Sequence, residues 1–95
     1  YAVDILYANG NGPITTDNKC CIRSLFVDHR FAGGAVFPQR GLNSWNDRRW
    51  SNKVLIRLKQ GKHLLSLRFE KENENMNIEV NAAEIKQLRM IRINR

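Results

Sequence analysis

The chain opens on a period-two alternation that runs straight into dense turn chemistry. In residues 1–8 (YAVDILYA), Tyr1, Val3, Ile5 and Tyr7 fall on one face and Ala2, Asp4, Leu6 and Ala8 on the other. That spacing suits a β-strand with one large-residue face. Asn9-Gly10-Asn11-Gly12-Pro13 follows. Gly and Asn accept positive φ and Pro presets φ, so the strand must end there. The same punctuation recurs along the chain and limits it to short strands.

Residues 20–28 (CCIRSLFVD) read as a second strand, residues 30–34 as a turn, and residues 35–37 as a short third strand stopped by Pro38. Residues 39–52 are long and irregular and hold both tryptophans. Residues 53–59 (KVLIRLK) and 63–70 (HLLSLRFE), separated by Gln60-Gly61, predict a hairpin. Residues 71–77 are polar and asparagine-rich, hence a loop. Residues 84–93 (EIKQLRMIRI) mix helix-favouring composition with an alternating end. A final strand is favoured because every other segment is β. The expectation is one all-β sandwich over residues 1–95. No apolar run is long enough to span a bilayer. The chain begins without Met, on a strand, and is read as a piece of a longer protein whose targeting segment lies elsewhere.

The net charge is +7, and its distribution is uneven. Residues 1–39 are balanced, residues 69–84 are net negative, and residues 40–68 carry eight basic groups against Asp47 alone. An anionic partner would be steered to that middle stretch. Solvent-facing strand positions that carry Lys and Arg explain part of it.

Cys20 and Cys21 are adjacent and point to opposite faces of a strand, so one thiol is expected in the core and one half-exposed. With no second pair and no CxxC, neither a zinc site nor a redox motif is supported. His29 and His63 stand isolated in the sequence. No nucleophile elbow, zincin helix or P-loop is present, and catalysis by this chain is not expected.

One segment concentrates recognition chemistry. Leu42-Asn43-Ser44-Trp45-Asn46-Asp47-Arg48-Arg49-Trp50-Ser51-Asn52 holds two indoles, three amides, one carboxylate and two guanidiniums. A pyranose stacks its C–H face on an aromatic ring and needs donors and acceptors for its hydroxyls. Arg beside an indole also grips carboxylate or sulfate, or stacks on a nucleobase. The competing reading makes Trp45 and Trp50 packing residues and the scattered asparagines turn formers.

These pieces resemble the later part of carbohydrate-binding modules of the family 6 and family 35 type. The likeness rests on Tyr7-Ala8-Asn9-Gly10 after a strand and on Leu25-Phe26-Val27-Asp28 ending the next. It continues through Val36-Phe37-Pro38 followed by Trp45 and Trp50, the strands at 54–58 and 64–69, and a closing stretch from Asn81 to Met90. The resemblance implies a galactose-binding-like jelly roll whose first strands would precede Tyr1. It implies a non-catalytic glycan-binding module of a secreted, cell-surface or periplasmic enzyme such as a glycoside hydrolase. The ligand site would lie in loops at one end. The resemblance carries over Tyr7, Asn9, Trp45 and Asn81, with Asn75 and Asn77 competing for the last position. Local chemistry adds Arg40, Asn46, Asp47, Arg48 and Trp50. Lys86 stands where the family tends to carry Asp. The family's structural calcium depends partly on the missing region, so no cofactor is expected. An acidic glycan suits the basic stretch. The other readings are a structural accessory domain packed on a catalytic domain and, with less support, a nucleic-acid-binding domain. A sandwich lacking strands leaves an edge open to self-association.

Overall fold

A computed structural model describes residues 1–12, 19–74 and 81–93. Two antiparallel sheets pack face to face. Among the described residues seven strands make them: β1 (Ala2–Ala8), β2 (Cys21–Val27), β3 (Arg30–Phe37), β4 (Arg49–Trp50), β5 (Val54–Leu55), β6 (Leu65–Arg68) and β7 (Glu84–Ile91). A 3₁₀ turn spans Lys71–Asn73.

In the first sheet β1 pairs with β7 along its whole length and with β4 and β5 in tandem along its other edge. Between β4 and β5 the chain leaves the ladder, and Ser51 repairs it. The Ser51 N–H donates to the Ile5 carbonyl at 2.8 Å, and the Ile5 N–H donates to Ser51 Oγ at 3.0 Å. The second sheet runs β3–β2–β6.

The large-residue face of β1 is the inner face. Ile5 and Tyr7 pack with Cys21, Ala35 and Phe37, while Val3 packs with Leu25, Val54 and Ile56. Tyr7 meets Phe37 edge-on, with ring centroids 5.2 Å apart. Tyr1 is the exception to the alternation, because the strand begins after it and its ring is exposed. Of the two thiols Cys21 is buried and Cys20 half-buried, and burial pushes both thiol pKa values up.

Two expectations are corrected. Residues 30–34 are strand, and the turn is the pair Asp28-His29, with φ of 50° and 68°. Left-handed backbone at both central residues is what a two-residue hairpin turn requires. Gly33 serves packing: a Cβ there would lie 2.7 Å from Val54 Cγ1, so glycine lets β3 approach β5. The second correction concerns residues 53–70, which do not form a hairpin. β5 joins β1 in one sheet, and β6 joins β2 in the other. The intervening chain crosses between layers, because Leu65 and Leu67 pack beneath the inner faces of both sheets' core. The closing segment is a strand over Glu84–Ile91, as the β character of the other segments led one to expect.

Candidate functional site at the loop end of the sandwich

The C-terminal end of β1, the ends of β2 and β3 at Cys21 and Phe37, and the start of β7 meet at one end of the sandwich. The irregular chain from Pro38 to Arg48 folds over this end. Its shape depends on Gly10. The Arg40 and Asn43 N–H groups donate to the Asn9 and Gly10 carbonyls at 2.9 and 2.8 Å. A Cβ on Gly10 would stand 2.6 Å from the Ser44 nitrogen and 2.9 Å from Trp45 Cε2. The loop turns through Gly41 and Asn43, whose φ angles are 134° and 63°.

Asn9 lies beneath this loop with no exposed surface. Its Nδ2 donates to the Lys19 and Phe37 carbonyls, and its Oδ1 accepts from the Asn11 backbone and side chain. Every polar position of its amide is occupied, so Asn9 builds the loop end from below. Asn81 is similarly committed. Its Oδ1 accepts from the Ile22 N–H and from Arg23, and its Nδ2 donates to the Asn73 carbonyl. The Tyr7 hydroxyl donates to the Pro38 carbonyl at 2.9 Å, and burial raises its pKa.

An open recess of about 800 Å³ lies beside the loop. Its walls include Tyr7, Arg40, Arg48, Arg49, Trp50, Ser51 and Asn52. The structure thus brings four sequence-predicted residues, Tyr7, Arg40, Arg48 and Trp50, around one concavity. Trp45, Asn46 and Asp47 stand on the adjoining loop, and Asn81 does not line the recess. Trp45 and Trp50 each keep 37% of their surface exposed.

Three guanidiniums and one carboxylate set the electrostatics. Asp47 accepts from Arg49 Nε at 3.0 Å and sits 3.6 Å from Arg40 Nε. The second distance is an ion pair but too long for a hydrogen bond. Arg40 Nε is itself covered and has no hydrogen-bond partner. Arg48 forms no ion pair with a described residue. Positive charge therefore exceeds what Asp47 neutralises. This arrangement can hold a carboxylate or sulfate through guanidinium forks, with the indole edge and the hydroxyl and amide groups beside it.

Arg49, Ser51 and Asn52 lie in the segment the sequence singled out but were not among the residues expected to bind, and they too line the recess. Asn52 acts as a strand mimic: its Nδ2 donates to the Gly34 carbonyl and its Oδ1 accepts from the Val36 N–H, both at 2.8 Å. Only the neighbouring strand reveals that role.

Sequence spacing also left His63 isolated, whereas the fold pairs it at the opposite end of the sandwich. Asp28 Oδ2 lies 2.6 Å from His63 Nδ1, and the Lys59 carbonyl lies 2.5 Å from Nε2. Among the described residues no cluster of three or more His, Cys, Asp or Glu is placed to hold a metal ion. No helix among them is long and apolar enough to cross a membrane. No protein-family model matches the chain, and no curated protein or solved structure matches it.

Proposed function

We propose that this chain is a non-catalytic carbohydrate-binding β-sandwich that takes an acidic glycan, a uronate or a sulfated sugar, in the recess at its loop end. The observation that carries the reading is the open concavity where Arg40, Arg48 and Arg49 surround Trp50 with one carboxylate between them. A glycan's anionic group would be held by Arg48 and Arg40, and its C–H face would lie against Trp50 or Trp45. Tyr7, Asn9 and Gly10 hold the loop that shapes the recess. The two-sheet architecture is that of a β-sandwich, and the reading extends it to a jelly roll of the family 6 and family 35 carbohydrate-binding type on the sequence resemblance alone. On that reading the chain belongs to a secreted, cell-surface or periplasmic enzyme acting on polysaccharide.

A second reading has one specific observation in its favour. The Arg89 guanidinium lies over the Trp50 ring, 3.8 Å from its centroid, so one indole face is already occupied. Together with the internal commitments of Asn9 and Asn81, this supports a structural accessory domain that packs on a neighbour without binding sugar.

Calorimetric titration of neutral, uronate-rich and sulfated oligosaccharides, with DNA as control, at low and high salt separates the readings. Glycan binding predicts affinity for one acidic sugar class that persists in salt and is lost in Arg48→Ala with the fold intact. Affinity for every polyanion that collapses with salt would mean a basic surface, including a nucleic-acid one. No binding by the folded protein would leave the accessory-domain reading.

A further inference from the structure

The edge strands β3 and β5 face each other along one flank of the sandwich. At Gly33 they close to contact, since Val54 occupies the space a Cβ would need. Toward the Asp28-His29 turn the same flank opens into a cleft of about 550 Å³, between residues 30–32 on one side and 55–57 on the other. Its floor is the top of the inner cluster: Ile56 belongs to that cluster, and Val27 and Ala32 pack against it. Phe31 and Leu55 also line the cleft, yet each is 62% exposed.

Three cations, Arg30, Arg57 and Lys59, stand in the same wall. None of them forms an ion pair with a described residue. Asp28 is the only carboxylate among the described residues lining the cleft, and both of its oxygens are taken. Oδ2 meets His63 Nδ1, and Oδ1 accepts from the Leu64 N–H at 2.9 Å. An apolar floor and rim thus adjoin positive charge that nothing in the cleft neutralises.

We propose that this cleft is a second binding site, for a small amphiphilic anion: an alkyl chain lying against Phe31, Leu55 and Ile56, with its carboxylate held by Arg57, Arg30 and Lys59. Uncompensated positive charge selects an anionic head over a neutral or cationic one. A guanidinium offers a carboxylate two parallel N–H donors. The apolar residues surround a concavity within the size range of small-molecule sites, about 300–1,000 Å³. No amide or hydroxyl side chain of a described residue lines it, so it is not built for the hydroxyls of a sugar. The cleft shares no residue with the glycan recess, and the proposal stands independently of that reading.

Decanoate, kept below the concentration at which it forms micelles, is the probe. In a titration followed by NMR it should shift the amide signals of Phe31, Leu55 and Arg57 and leave those of Arg48 and Trp50 in place. Affinity should rise about twofold or more per methylene from hexanoate to decanoate, as burial of the chain requires. Decanol and decyltrimethylammonium should bind about tenfold more weakly or worse, because they lack the charge-assisted contacts. Glucuronate, an anion without an apolar chain, should not compete. Arg57→Gln combined with Lys59→Gln should weaken decanoate about tenfold. Leu55→Ser should flatten the dependence on chain length. All three positions are exposed, and circular dichroism should show the fold retained. Equal affinity for decanoate and decanol overturns the proposal, as do shifts confined to other residues or affinity untouched by the Arg57 and Lys59 exchange. The absence of decanoate binding by the folded protein does the same. Binding to phosphatidylglycerol vesicles without binding to monomeric decanoate would also overturn it, in favour of a lipid surface.

Discussion

Arg89 grips Asp4 across the β1–β7 pair with two parallel contacts, Nε to Oδ1 at 2.9 Å and Nη2 to Oδ2 at 2.6 Å. Asp4 is 2% exposed on the outward face of β1, a carboxylate where alternation alone would leave a solvated side chain. The guanidinium also lies over the Trp50 ring, so strands β7, β1 and β4 are joined by one set of contacts. The hydrogen bond to Asp4 is the main reason the Arg89 pKa is raised.

Removing Arg89 therefore leaves a buried charge without a partner, which costs more than removing both members. Arg89→Ala should lower the urea midpoint clearly, and Asp4→Asn combined with Arg89→Ala should recover part of the loss. Equilibrium urea unfolding of the four members of this double-mutant cycle checks it. Additive effects would mean that the two groups act independently.

Gly10→Ala tests how the recess is built. The added methyl has no space against Ser44 and Trp45. Overpacking of this kind costs about 1–3 kcal/mol. The loop should shift off β1, and any ligand affinity should fall although no recess side chain has changed. Thermal unfolding together with the glycan titration reads both effects.

The pair His63 and Asp28 makes stability depend on pH. Both ring nitrogens face acceptors, so the ring must carry both protons. The Asp28 hydrogen bond first, and the Lys59 carbonyl second, raise the His63 pKa above its ordinary 6.5. The His63 hydrogen bond first, then that of the Leu64 N–H, lower the Asp28 pKa below 3.8. The histidine contribution is full below the unfolded value and is lost as pH rises through the raised folded value. The aspartate contribution is present above its unfolded value and is lost as pH falls through the lowered folded value. Stability from this contact should thus peak in the mildly acidic range between the two. In a titration followed by NMR, Asp28→Asn should bring the His63 pKa down and flatten the alkaline side of the stability profile. A His63 titration unchanged by Asp28→Asn would contradict the pairing.

Core truncation should separate sharply from surface truncation. Phe37 has no exposed surface and contacts Tyr7 in the inner cluster. Phe37→Ala should destabilise by about 3–5 kcal/mol. Leu42, 67% exposed on the loop, should change stability by less than about 0.5 kcal/mol when cut to alanine. Chemical denaturation of the two variants gives the comparison.

Much of this molecule was legible in local pattern. Alternation placed β1 and its inner face, and the β character of every other segment favoured strand over helix for the closing one. Turn chemistry located the break after Ala8. The eleven-residue segment from Leu42 to Asn52 supplies the side chains of the loop and much of the recess wall. Other features were not local. Asn9 and Asn81 read as ligand-binding amides, but their partners in the structure include carbonyls and N–H groups of residues 8 to 59 positions away in the chain.

By itself the sequence determined most of the extended segments, which side of β1 is apolar, and that the chain breaks its strand after Ala8. These depend on backbone sterics and side-chain spacing within a few residues. Tertiary structure decided that β6 pairs with β2 and not with β5. It also decided that Asp4 is buried against Arg89, that His63 finds Asp28, and that among the described residues β7 has β1 as its only strand partner. Each of those depends on which surfaces the two sheets bury against each other, a choice set by contacts between residues far apart in the chain.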